Sequence, residues 1–162
     1  MPLPSISIYQ PRGQCIVLLF AALRELGGSV TKQTAVQYIL SNKWFALEPE
    51  DLKPYPSQLH TREARWKTLI AWARKDSTLR ELMLDHERDS WSLSREGIRR
   101  WDLLRSRFAT GEIEVKDGYL WSPAFKHFLC STYRPCLSEA KRPSGFYNGV
   151  LDFESLWREA GL

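Results

Sequence analysis

HTREARWKTLIAWARKDSTLRELMLDHERDSWSLSREG, residues 60–97, holds a helical pattern, two short extended runs and the start of a second helix in succession. Trp66, Leu69, Ile70 and Ala73 recur at the i, i+3, i+4, i+7 spacing of a helix with one buried face, over about 62–75. The opposite face carries Ala64, Lys67, Thr68, Ala71, Arg74 and Lys75, which are small or basic. Residues 82–85 and 90–93 read as two short strands around the charged tip His86-Glu87-Arg88-Asp89. Ser94 is placed to cap a further helix over about 95–108, with Ile98, Trp101, Leu104 and Phe108 as its inner stripe. The order is helix, β-hairpin, helix.

Working outward, Ile16, Leu19, Phe20, Leu23 and Leu26 predict a helix over 14–26, stopped by Gly27-Gly28. Val30 sits in an extended link, and Thr31 caps a helix over 32–42 that turns in Ala35, Val36, Ile39 and Leu40. Residues 43–61 form a long connection in which Pro49, Pro54 and Pro56 forbid a long helix. Its Trp44, Phe45, Leu47 and Tyr55 are expected to fold back on the core. Residues 112–116 alternate with period two, Asp117-Gly118 is a hairpin turn, and 119–121 return as the partner strand. A short helix follows from Pro123 to about Cys130, and an amphipathic helix over 152–159. The expected architecture is mainly α (α+β): a winged helix-turn-helix over 14–110, preceded by a Pro-rich arm (1–13). A small α+β extension (111–162) follows, to dimerise the chain or dock it on a partner.

The 162 residues suit one domain with an appended part. The net charge of +4 is unevenly distributed. Residues 61–110 hold 12 Lys/Arg and 8 Asp/Glu, whereas 1–60 hold 5 and 4, and 111–162 hold 6 and 7. The middle therefore carries the attraction for anions. Three cysteines, Cys15, Cys130 and Cys136, imply no disulfide framework. The apolar run 16–26 is too short to span a membrane, and the N-terminus lacks a targeting pattern, so a cytoplasmic location is expected.

The order of elements over 14–108 resembles the N-terminal winged-helix domain of Mrr-type restriction endonucleases. The resemblance rests on ALRELGGSVTKQTAVQYI (22–39), RWKTLIAWARK (65–75) and WSLSREGIRRW (91–101), with its Ser-x-x-Gly helix start. It departs at Asp76-Ser77, where that family places a small residue and Gly, and in the acidity of 78–85. It implies the DNA-binding part of such enzymes, in a restriction, defence or transcription-control setting. The catalytic domain of the family has no counterpart here, so no enzyme activity is expected of this chain.

A helix entering a major groove about 12 Å wide needs small central side chains and flanking cations. Lys67, Thr68 and Ala71 are expected nearest the bases, with Arg65, Arg74 and Lys75 on phosphates. Gln58, His60, Thr61 and Arg62 lead into the helix, at the end where base contacts are usual. Thr31, Lys32 and Gln33 open the preceding helix and offer backbone N–H groups to a phosphate. Arg88 and His86 reach from the hairpin tip, opposed by Glu87 and Asp89. Trp44 and Trp72, without an evident place inside, are candidates to stack on an unpaired or modified base. Arg95, Arg99, Arg100, Arg105 and Arg107 add charge on the last helix. The expected partner is double-stranded DNA, bound by the chain itself, by a homodimer or together with a separate nuclease or methyltransferase subunit. A dimer would read half-sites about 34–36 Å apart.

Two readings compete. Winged helices also serve as protein-interaction scaffolds, and the acid in the hairpin tip suits that use. A compact nuclease could use Glu114 and Lys116 as a Glu-x-Lys pair, but it needs an upstream aspartate on a neighbouring strand to hold the metal. Asp102, the nearest, falls in a helix. His127, Cys130 and Cys136 lack a fourth ligand for zinc, so no metal or other cofactor is expected.

Overall fold

The computed structural model describes residues 6–7, 10–57, 62–84, 89–113, 120–131 and 150–151. The protein is mainly helical there. Helix α1 (Pro11–Leu26) is the axis of the core, and α2 (Lys32–Ser41), α3 (Arg65–Leu79) and α4 (Arg95–Thr110) all pack against it. Helix α5 (Pro123–Cys130) packs on α4, and a two-residue strand β1 (Ile6–Ser7) pairs antiparallel with β2 (Val150–Leu151). None of the described helices is long and apolar enough to cross a membrane.

Helix α1 is buried without interruption from Gly13 to Leu23, as a helix surrounded by others must be. It starts three residues before the predicted Gln14, so the end of the expected arm is helical. Pro11 is tolerated in the first turn, where its missing N–H has no partner to lose. Gln14 is inside and ties α1 to a distant segment. Its side-chain oxygen accepts the Leu120 N–H (3.1 Å), and its backbone carbonyl accepts Trp121 Nε1 (3.1 Å). Gly27, at φ +69°, ends the helix as expected, returning its N–H to the Leu23 carbonyl.

The connection after α2 folds back as its aromatics predict. Trp44 is 5% exposed, against Tyr38, Phe125 and Phe128, and Phe45 packs on Trp66. A 3-10 turn (Pro49–Leu52) follows. Phe45 also forms an antiparallel bridge with Trp121. The described end of the expected 112–121 hairpin thus pairs with the connection. Its turn, with Glu114 and Lys116, lies outside the described residues, as does the expected 152–159 helix.

Helix α3 begins at Arg65, whose N–H donates to the Lys53 carbonyl (2.9 Å), and runs to Leu79, four residues past the predicted end. Glu81 then takes a left-handed turn (φ +59°), with Leu82 N–H on the Ser77 carbonyl and Glu81 N–H on that of Thr78. This is the closing arrangement that usually takes glycine at this position. Beyond it, Met83 bridges Leu93 and Val30 bridges Trp91, both antiparallel. Val30 and Trp91 exchange two backbone hydrogen bonds (2.9 and 2.6 Å). Three extended segments, around residues 30, 83 and 92, therefore lie side by side.

Ser94 caps α4 by accepting the Gly97 N–H (3.0 Å). Ser94 N–H and Oγ reach back to the carbonyls of Leu82 (2.9 Å) and Glu81 (2.6 Å). The start of α4 is thereby fastened to the strand it follows. Trp101, Leu104 and Phe108 are buried as expected, and Ile98 is half-buried.

Candidate nucleic-acid interface

Helix α3 owes its position to the packing of Trp66, Leu69, Ile70 and Ala73 against the core. The side that remains open is a stripe in which Lys67 and Lys75 are exposed and Ala71 and Arg74 half-buried. Its breadth is narrower than the helical wheel predicts, because Thr68 is 4% exposed. The connection packs against the positions one turn to either side of it. Tyr55 stacks on Trp72 (5.7 Å between centroids, 16° between planes), and the Arg65 guanidinium lies over the Tyr55 ring (5.2 Å). Thr68 falls one turn from each of Arg65 and Trp72, on the flank this contact occupies. It is therefore not a base-contacting residue in this conformation.

Arg65 is similarly engaged. It pairs with Glu50 (3.8 Å), whose carboxyl is held below the usual carboxylate range, chiefly by a hydrogen bond from Lys53. Trp72 is 37% exposed, but one face meets Tyr55 and Arg12 lies over its ring (5.6 Å). Arg12 itself holds the buried Asp76 through two hydrogen bonds (2.6 and 2.9 Å). Arg74 sits over the Trp91 ring (5.3 Å), which turns that guanidinium toward the three extended segments. Trp44 is in the core, so base stacking by Trp44 is excluded in this fold. Its position after α2 hid that, because an aromatic in a long connection gives no periodicity to read.

At the N-terminal end of the open stripe lies a concavity of about 600 Å³, lined by Thr31, Lys32, Gln33, Val36, Glu63, Lys67 and Asp89. Four of the expected site residues, from two helices far apart in sequence, thus meet in one place. Thr31 Oγ1 accepts the Thr34 N–H (3.1 Å). The N–H groups of Lys32 and Gln33 have no acceptor within the helix and open its positive end. Lys32 Nζ lies 3.5 Å from Glu63 Oε1. Glu63 is not foreseen at the site from sequence, since a carboxylate beside Arg62 at a helix start reads as ordinary first-turn acid. Arg62 is exposed just before α3, at φ +55°. Gln58, His60, Thr61, His86 and Arg88 lie outside the described residues.

The arginines of α4 divide. Arg95 is exposed, and Arg99 and Arg100 are half-buried beside Glu96. Arg105 and Arg107 are buried, so they are not a surface field. Arg105 donates to the end of α5, and Arg107 pairs with Glu112 (3.3 Å). Asp102 is on α4, as expected, and pairs with Arg24 (3.1 Å). Among the described residues no three His, Cys, Asp or Glu side chains gather as a metal site. Cys130 is exposed, whereas Cys15 is buried in α1, and burial, followed by the charge of Asp51, pushes its thiol pKa up. A thiol reagent near pH 8 should therefore modify Cys130 in the native protein and Cys15 only after denaturation. Peptide mass mapping reads this directly, and native modification of Cys15 would contradict the α1 packing.

No family model matches the chain, and neither a curated protein nor a solved structure matches it.

Proposed function

We propose that this protein binds double-stranded DNA through a winged helix like that of Mrr-type restriction endonucleases, with α3 as the helix that enters the major groove. The observation that carries this reading is the convergence of Thr31, Lys32 and Gln33 with Lys67 in one concavity, from which the stripe Lys67–Ala71–Lys75 runs along α3. The extended segments around Val30, Met83 and Trp91–Leu93 supply the small sheet that a wing needs. Lys67, Ala71 and Lys75 face the groove, Arg74 and Arg62 flank it, and the first turn of α2 takes a phosphate. Arg65 and Thr68 support the helix. Any catalysis belongs to a separate nuclease or methyltransferase subunit, and residues 111–162 serve docking or dimerisation.

The test is a salt-resolved binding titration. Lys67→Ala combined with Lys75→Ala should weaken duplex binding at least about tenfold at about 50 mM salt. It should also flatten the slope of log K against log[salt] by about two, roughly 0.9 for each phosphate no longer neutralised. Unchanged affinity and slope would remove α3 as the reading helix. Glu63 and Asp89 in the concavity favour a second reading, a protein-interaction scaffold for a basic partner. The absence of any duplex binding by the unmodified protein at about 50 mM salt would decide for it.

A further inference from the structure

We propose that Glu63 and Asp89 determine specificity at this surface, by opposing phosphate at Lys32, which would otherwise bind any duplex, and more weakly along the rest of the concavity. This rests on the DNA-binding reading and adds to it. Both carboxylates line the concavity that holds Lys32 and Lys67. Glu63 lies 3.5 Å from Lys32 Nζ, and their side chains are 34% and 36% exposed. So open an ion pair contributes little to folding, and its consequence is for whatever approaches Lys32. A phosphate there meets Glu63 at contact distance and Asp89 on the same rim. The Debye length at physiological salt is about 8 Å, so charges gathered in one small concavity are poorly screened from one another.

The effect is selective because phosphates are present in every duplex and particular base edges are not. Generic affinity grows with the number of phosphates neutralised, and Lys32, held by Glu63, is one fewer. A carboxylate in the major groove is offset by an exocyclic amino group, which cytosine presents there as a donor. The surface therefore holds random duplex weakly and favours sites that place an amino group opposite these two side chains.

The experiment compares Glu63→Gln, Asp89→Asn and the double variant with the unmodified full chain, by titration of a random-sequence duplex at several salt concentrations and by elution from heparin. Circular dichroism confirms that each variant is folded. Glu63→Gln and the double variant should bind random duplex about five- to tenfold more tightly at about 50 mM salt, with the salt slope steeper by about one. Asp89→Asn, whose carboxylate lines the concavity without pairing with Lys32, should gain affinity by a smaller factor. Each should also leave heparin at higher salt. If the unmodified protein binds duplex and neither affinity nor slope changes in the variants, the specificity role is overturned. If the variants elute later from heparin but no form binds duplex, the carboxylates do screen the lysines and the DNA reading fails instead. If no form binds duplex and heparin elution is the same for all of them, both fail.

Discussion

Gly97→Ala is expected to destabilise the protein by about 3 kcal/mol, the upper end of what an added methyl costs in a packed interior. At roughly 2–4 °C per kcal/mol for a chain of this size, the melting temperature should fall by about 6–12 °C. The sign is the informative part. In an ordinary helix position alanine is better than glycine by about 0.5–1 kcal/mol, because it loses less backbone freedom. Gly97 is the third residue of α4, and a Cβ built there would overlap the Leu82 carbonyl oxygen. That oxygen cannot withdraw easily, because it accepts the Ser94 N–H at 2.9 Å while Ser94 Oγ holds the neighbouring Glu81 carbonyl. Making room therefore means lifting α4 from the strand at Leu82–Leu84 and with it the bridge between Met83 and Leu93. Thermal and urea unfolding measure the change. An alanine variant as stable as the original, or more so, would show that α4 and Leu82 do not approach this closely.

Replacing Arg105 by methionine should cost up to about 3 kcal/mol, because the buried Leu129 carbonyl would lose the Arg105 donor and the half-buried carbonyls of Phe128 and Ser131 one donor each. The side chain is 3% exposed. It donates to the carbonyls of Phe128 (2.5 Å), Leu129 (2.7 Å) and Ser131 (3.3 Å) and to Ser131 Oγ (2.8 Å), with its guanidinium over the Phe128 ring (4.6 Å). The last carbonyls of a helix have no donor within it, and the helix dipole makes that end negative. Arg105 answers both needs of α5 at once. Methionine fills the volume but cannot donate; the Phe128 carbonyl keeps the Ser131 N–H (3.2 Å) and Oγ–H (2.6 Å), so the loss falls mainly on the Leu129 carbonyl, at about 1–3 kcal/mol. Lysine should recover part of the loss, since it returns the charge without the planar fork. Faster thiol modification of Cys130 in the methionine variant would locate the damage at α5. If the methionine variant melts where the original does, the cap is not holding α5.

Much of the fold is legible in the residues alone. Thr31 and Ser94 announce helix starts, Gly27 a helix end, and the Trp66, Leu69, Ile70, Ala73 spacing an inner face, and each is found where expected. These features succeed because capping and amphipathicity depend on residues within a turn or two of one another. The open stripe of α3 is legible in Lys67, Ala71 and Lys75 and illegible in its limits. Thr68 is outward on a wheel and buried in the molecule, and the neighbouring positions Arg65 and Trp72 meet Tyr55 from a segment whose path no local pattern specifies. Trp44 reverses in the same way. Among the arginines of α4, Arg95 and Arg105 carry equal charge in sequence and opposite roles in space.

The described helices, the caps at Thr31, Ser94 and Gly27 and the basic balance of residues 61–110 all follow from neighbours along the chain, and the residues alone fix them. Tertiary packing sets which charges face solvent, which glycine has no room for a methyl group and which residues share the concavity. Those depend on close approaches between segments far apart in sequence, such as Lys32 to Glu63, Leu82 to Gly97 and Arg105 to Leu129. A side chain's surroundings in such places are set by packing geometry, which has no period along the chain.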